Sequence, residues 1–273
     1  MLSDNNLLLF ILAFLPALVY SYIIYFNDRN NIKFRTTLSY IIGGCIAITF
    51  FDVFTTVFPK FQEMLFTVPN GAIDLTTMTL RQKPTLLTWV MFAFVQVAML
   101  EETVKAMAWK MMSLFRKGDY NKNDTLFATM FYSCMISVGF AGIENLQYLI
   151  NYHDIFIERS LTAVITHMVC GIFMGYFIAT SRIKRGLFER IGYQLMGVAS
   201  AALFHGLYDY SVMTMGDYHL PFKFPFTETF LQPFHFVILI GLTLATICGR
   251  NLLNYSLRYG KIQRTKRPLP PAK

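Results

Sequence analysis

Seven stretches of this chain are apolar for about as long as a bilayer is thick, which leaves few folds open. A helix needs about 20 mostly apolar residues to cross the hydrocarbon core. Residues 7–26, 38–58, 86–115, 125–150, 160–180, 191–213 and 231–249 all qualify. Lipid offers no partner to a backbone N–H, so such stretches cross as helices. The expected fold is all-α, a polytopic integral membrane protein with about seven transmembrane helices. Charged residues make up only 15% of the chain, against ~25% in soluble domains, so one membrane domain, 1–249, takes up nearly all of it. A basic, Pro-rich tail, 250–273, follows. No internal repeat is visible, which disfavours a transporter built from inverted halves.

The net charge is +8, but the basic residues form no nucleic-acid face. Segments 27–37, 116–124, 181–190 and 250–273 together hold 17 Lys and Arg, while the N-terminus, 59–85, 151–159 and 214–230 hold 5. Alternation of this kind is the positive-inside signal. It puts the N-terminus outside and the C-terminus in the cytoplasm. The first stretch has no basic segment before it and is long enough to span, so it reads as a helix rather than a cleaved signal peptide. Cys45, Cys134, Cys170 and Cys248 all lie in apolar segments without CxxC spacing, and they read as buried small hydrophobes. The outer segment 59–85 suits a short amphipathic surface element. The segment 214–230, rich in Phe and Pro, suits an interfacial aromatic belt or a gate. The Pro-rich tail reads as disordered near anionic headgroups.

The third to sixth spans carry polar groups that lipid would not tolerate. Glu101, Glu102 and Lys105 sit inside the third, at spacings i,i+4 and i,i+3 that put all three on one helix face. Phe140, Glu144 and Asn145 lie in the fourth. His167 precedes Gly171 and Gly175 in the fifth, and His205 and Asp209 are i,i+4 in the sixth. Glu101, Glu102, Lys105, Glu144 and Asp209 would together cost ~12–17 kcal/mol if each faced lipid. They are expected to converge on one pocket in a four-helix core, 86–213. Gly139, Gly142, Gly171, Gly175 and Gly197 would let neighbouring helices approach closely. Asp52 falls outside this pattern and reads as a helix–helix contact or an interfacial residue. Counted from the outer ends of their spans, Glu101 lies about 22 Å deep and His167 about 10 Å, so tilt or a kink is needed to bring them level.

Two carboxylates, two imidazoles and an Asn suit hydrolysis. A glutamate can serve as general base towards water, and histidines with Asn145 can stabilise an oxyanion. The same groups allow a second arrangement, in which His167, His205 and either Glu144 or Asp209 bind Zn²⁺. No HExxH is present, and spacing does not choose between the two. No GxS-type setting for a serine nucleophile accompanies the histidines.

These motifs resemble the PrsW family of intramembrane proteases, relatives of the CAAX prenyl endopeptidases and bacterial abortive-infection proteins. The family pattern EExxK, FxxxEN, HxxxG and HxxxD is met in order by Glu101-Glu102-Thr103-Val104-Lys105, Phe140 to Glu144-Asn145, His167 to Gly171 and His205 to Asp209. The prenyl endopeptidase branch tends to EExxxR and FxxxH, which Lys105 and Glu144 do not match. The resemblance implies hydrolysis of peptide bonds in membrane-anchored proteins, with first-site cleavage of an anti-sigma factor as the family's best-known role. It implies Glu101, Glu102, His167 and His205 at the catalytic centre, and Lys105, Phe140, Glu144, Asn145 and Asp209 around it. Two other classes make different predictions. A proton-coupled transporter would also bury Glu, His and Lys and would show pH-driven uptake without proteolysis. A non-catalytic membrane scaffold would tolerate Glu101→Gln.

Overall fold

The computed structural model describes residues 6–26, 32–57, 73–74, 79–80, 86–115, 125–151, 156–215 and 232–266. Seven helices run through them: α1 (Asn6–Tyr25), α2 (Phe34–Val57), α3 (Leu86–Phe115), α4 (Leu126–Asn151), α5 (Phe156–Ser181), α6 (Leu187–Met215) and α7 (Pro233–Lys266). Among the described residues, five helices (α2, α3, α4, α5 and α7) are both long and apolar enough to cross a membrane. In α6 the polar set Glu189, Arg190, Ser200, His205 and Asp209 dilutes an otherwise apolar helix. The only strands among the described residues are Ile73–Asp74 and Thr79–Leu80, paired antiparallel. Otherwise the amphipathic element read in 59–85, the belt or gate read in 214–230 and the tail beyond Lys266 lie outside the described residues.

The bundle is built around α4 and α5. Their spans are 89% and 72% buried, against 22–33% for α2, α3 and α7, so these two form the core and the others face lipid. Leu18, Val19, Ile46, Phe50, Leu239, Ile240, Leu244 and Ile247 are exposed on α1, α2 and α7. In water they would form large apolar patches; in a bilayer they are its contact surface. The α4 N-terminus is capped by Thr125, whose Oγ1 accepts the Ala128 N–H at 3.0 Å.

Small residues set the closest helix contacts, as the sequence predicts. A Cβ at Gly139 would lie 1.9 Å from the Ile41 carbonyl oxygen, and one at Gly44 would lie 2.0 Å from that of Ile136. The α2 and α4 backbones therefore touch directly. Next to this contact, Gln147 Nε2 donates to Asp52 Oδ2 at 2.6 Å, so Asp52 is a helix–helix contact. Gly139→Ala must push two backbones apart, at a cost of about 1–3 kcal/mol. The expected result is a lower thermal unfolding midpoint of the purified protein in detergent. An unchanged midpoint would mean that these helices do not meet at this contact.

Helix ends differ from those read in the sequence. α5 starts at Phe156 rather than 160, α6 at Leu187 rather than 191, and α7 continues past 249 to Lys266. Hydropathy stops where polar residues begin, but a helix runs on until something breaks it. No proline follows Pro233 until Pro268. The earlier start of α5 places His167 a further helical turn from the helix end and so removes about 6 Å of the depth mismatch.

Candidate active site

α3 is not one uniform helix. Met91–Met99 is wound as a π-helix, and α-geometry resumes at Leu100, one residue before Glu101. No Gly or Pro announces this irregularity, so the uninterrupted helix read from the sequence is corrected here. The π segment lies against α6, where a Cβ at Gly206 would come within 3.0 Å of the Phe94 Cα. His205 is the next residue. The wide turn thus joins the two elements that carry Glu101 and His205. π-helical turns recur at functional sites.

Beyond it, Glu101, Glu102 and Lys105 all point into the bundle and are buried. Lys105 has no lone pair, so its ammonium donates to each neighbour. Its Nζ lies 2.7 Å from Glu102 Oε1, 3.3 Å from Glu101 Oε2 and 2.9 Å from His167 Nδ1. It also sits 4.2 Å from the centroid of the Phe140 ring, a cation–π contact from a second partner helix. One cation therefore ties α3 to α4 and α5.

The network continues on both sides. Because His167 accepts at Nδ1, its proton is on Nε2, and that N–H donates to Glu144 Oε2 at 2.7 Å. The other oxygen of Glu144 accepts from Arg159 at the start of α5. Arg159 in turn stacks over the Tyr148 ring at 3.5 Å. On the opposite side, His205 Nδ1 donates to Glu102 Oε1 at 3.0 Å, and its Nε2 lies 3.4 Å from Asp209 Oδ2. The two imidazoles meet edge-to-face, with centroids 4.9 Å apart. The four polar motifs thus converge on one buried cluster.

Three residues take places that the sequence did not announce. Glu144 stands behind His167 rather than beside both histidines. Asn145 donates Nδ2 to Ser160 Oγ at 2.9 Å, clasping α4 to α5. Arg159 was counted only as a loop charge, although an Arg at the start of an apolar helix, one segment after a buried Glu, was the available signal. Cys170 was missed as well. It lies three residues after His167 and close to Glu102 and His205.

Among the described residues, two groups of side chains bring ligand atoms within 4.8 Å of one another: Glu101, His167 and His205, and Glu102, Cys170 and His205. The grouping differs from the expected His167, His205 and Glu144 or Asp209. Glu144 is engaged by Arg159 and His167, and Asp209 lies on the far side of His205. The donor chemistry of Glu101, His167 and His205 fits a divalent metal such as zinc. The Lys105 ammonium contacts two of the same three side chains, so it and a metal would compete for these donors.

The PrsW family intramembrane metalloprotease model matches residues 34–244. The chain belongs to the PrsW family. Its relatives include Protease PrsW of Clostridioides difficile (strain 630), 26% identical over 210 residues, which are 75% of this chain and 79% of that protein. Protease PrsW of Shouchella clausii (strain KSM-K16) is 31% identical over 49% of this chain and 60% of its own length. Protease PrsW of Bacillus subtilis (strain 168) is 27% identical over 48% and 59%. No solved structure gives a significant match. The family match spans all four polar motifs, and the chain is a membrane-embedded peptidase. Proteolysis within a membrane implies membrane-protein substrates in a lipid environment.

Proposed function

We propose that this chain hydrolyses a peptide bond in a single-span, membrane-anchored protein, an anti-sigma factor being the kind of substrate the family resemblance suggests. The convergence of Glu101, Glu102, His167 and His205 around Lys105 is the observation that carries this reading. Glu101 acts on the water. It is the more exposed of the two glutamates and the more loosely held, 3.3 Å from Lys105 and 4.0 Å from His205. Glu102 is fully buried and engaged at Oε1 by both Lys105 and His205, which suits an anchor. With Lys105 committed to Glu101, Glu102 and His167 and the Nδ1–H of His205 to Glu102, the Nε2–H of His205 is the donor available to a developing oxyanion. Where a divalent metal is bound, Glu101, His167 and His205 would hold it, and it would supply an acidified water. The catalytic core is 86–213 within a protease domain that takes in α7 past residue 249, with the basic tail after it. The N-terminus is outside and the C-terminus cytoplasmic.

The test is cleavage of a panel of single-span substrates by purified protein in lipid, with His205→Ala alongside and with chelator in a parallel arm. Wild type is expected to cleave and the variant to fail. Cleavage that survives chelator assigns the water to Glu101 alone; cleavage lost with chelator and restored by Zn²⁺ assigns it to the metal. A His205→Ala protein as active as wild type would sink the assignment.

Arg159 acts here as a positioning residue, because it holds the carboxylate that holds His167. Arg159→Ala is expected to lower kcat by about 10–100-fold with little change in KM. Arg159→Lys should recover part of that loss, since Lys keeps the charge but not the planar fork. Equal loss in both variants, or a change in KM alone, would refute the positioning role.

A further inference from the structure

A cavity of about 430 Å³ lies at the end of the bundle where α4 starts, α5 ends and the late part of α7 passes. Asn251, Asn254, Tyr255 and Arg258 line it at spacings i, i+3, i+4 and i+7, so one face of α7 supplies them all. Tyr176 of α5 lies across from them, and Leu126 and Leu252 add apolar wall. The cations next to Ile183, another lining residue, are already committed. Arg182 donates to Thr129, and Lys184 pairs with Glu189 at 3.0 Å. Arg258 is exposed and has no carboxylate partner among the described residues. The cavity therefore offers a guanidinium together with two carboxamides, a donor set suited to a phosphate ester.

The surroundings say where that phosphate comes from. Ile240, Leu244 and Ile247 are exposed on the lipid-facing part of α7. At 100° per residue they fall on the same helix face as Asn251, Asn254 and Arg258. An apolar stripe thus leads along the helix into the cavity, which lies at the end of the apolar window Pro233–Tyr255. We propose that the cavity binds the phosphate of an anionic phospholipid, whose acyl chains lie along the Ile240–Leu244–Ile247 stripe. The site is separate from the glutamate–histidine network and does not depend on the reading of that network.

Native mass spectrometry of the detergent-solubilised full chain tests this. The protein is titrated with dioleoyl-phosphatidylglycerol, dioleoyl-phosphatidylcholine or inorganic phosphate. Phosphatidylglycerol should bind more tightly than phosphatidylcholine, and inorganic phosphate should not displace it. Arg258→Gln should weaken phosphatidylglycerol binding about fivefold, the ~1 kcal/mol carried by one basic residue near an anionic headgroup. Arg250→Gln removes the same charge from a neighbouring exposed position outside the lining and should leave binding unchanged. Equal affinity for the two lipids would overturn the proposal, as would equal behaviour of the two variants. Displacement by inorganic phosphate would make this a site for the free ion and overturn the lipid assignment.

Discussion

Replacing Glu101 by Gln is expected to lower kcat by about 10²–10⁴-fold, the range a positioned general base contributes, while the protein still folds and inserts. Gln keeps the shape of Glu and an oxygen that can accept from Lys105, but it cannot take a proton from water. Lys105 retains its shorter contact to Glu102 at 2.7 Å and its contact to His167 at 2.9 Å, so the buried cation keeps a charged partner. The thermal midpoint should therefore stay close to that of wild type. Glu102→Gln should behave differently. Its Oε1 accepts from both Lys105 and His205, and its side chain is fully buried, so both stability and activity should fall. Side-by-side kinetics and unfolding of the two variants separate the roles. If Glu101→Gln cleaved as fast as wild type, neither a base nor a metal ligand could be assigned to Glu101.

The contrast between adjacent glutamates marks what the sequence discloses. Spacing along one helix translates directly into space, so the shared face of Glu101, Glu102 and Lys105 and the pairing of His205 with Asp209 follow from counting residues. Which side chain meets which across helices depends on how each helix is rotated and how deep it sits, and no local pattern encodes that. Phe140 and Glu144 are i,i+4 and share a face, yet one ends under the Lys105 ammonium and the other behind His167. The π-helical Met91–Met99 has the composition of any lipid-facing helix, so its wider winding leaves no mark in the sequence. Arg159 was hidden by its position at a helix end, where a basic residue usually belongs to the interface. The helices were easy to find for the opposite reason: the cost of exposing a polar backbone to lipid is large and admits few solutions.

Lys105→Met should be the most destabilising single change at the site. Met has nearly the same length and no charge, so it fills the space without making a large cavity. The Glu101 and Glu102 carboxylates then remain buried without their ammonium, His167 Nδ1 loses its donor, and the Phe140 ring loses its cation. Removing one partner of a buried ion pair costs about 3–5 kcal/mol, mostly because the other charge is stranded. That is a large share of the total stability of a domain. The expected result is a marked drop in the thermal unfolding midpoint in detergent, together with loss of cleavage. Because the damage comes from stranded charge, adding Glu102→Gln to Lys105→Met should restore part of the stability, and a double-mutant cycle would give a coupling energy of opposite sign to the single losses. Activity should not return with it, since the ammonium also orients His167. A Lys105→Met protein that unfolds at the wild-type temperature would mean that the two glutamates do not depend on Lys105 for their burial.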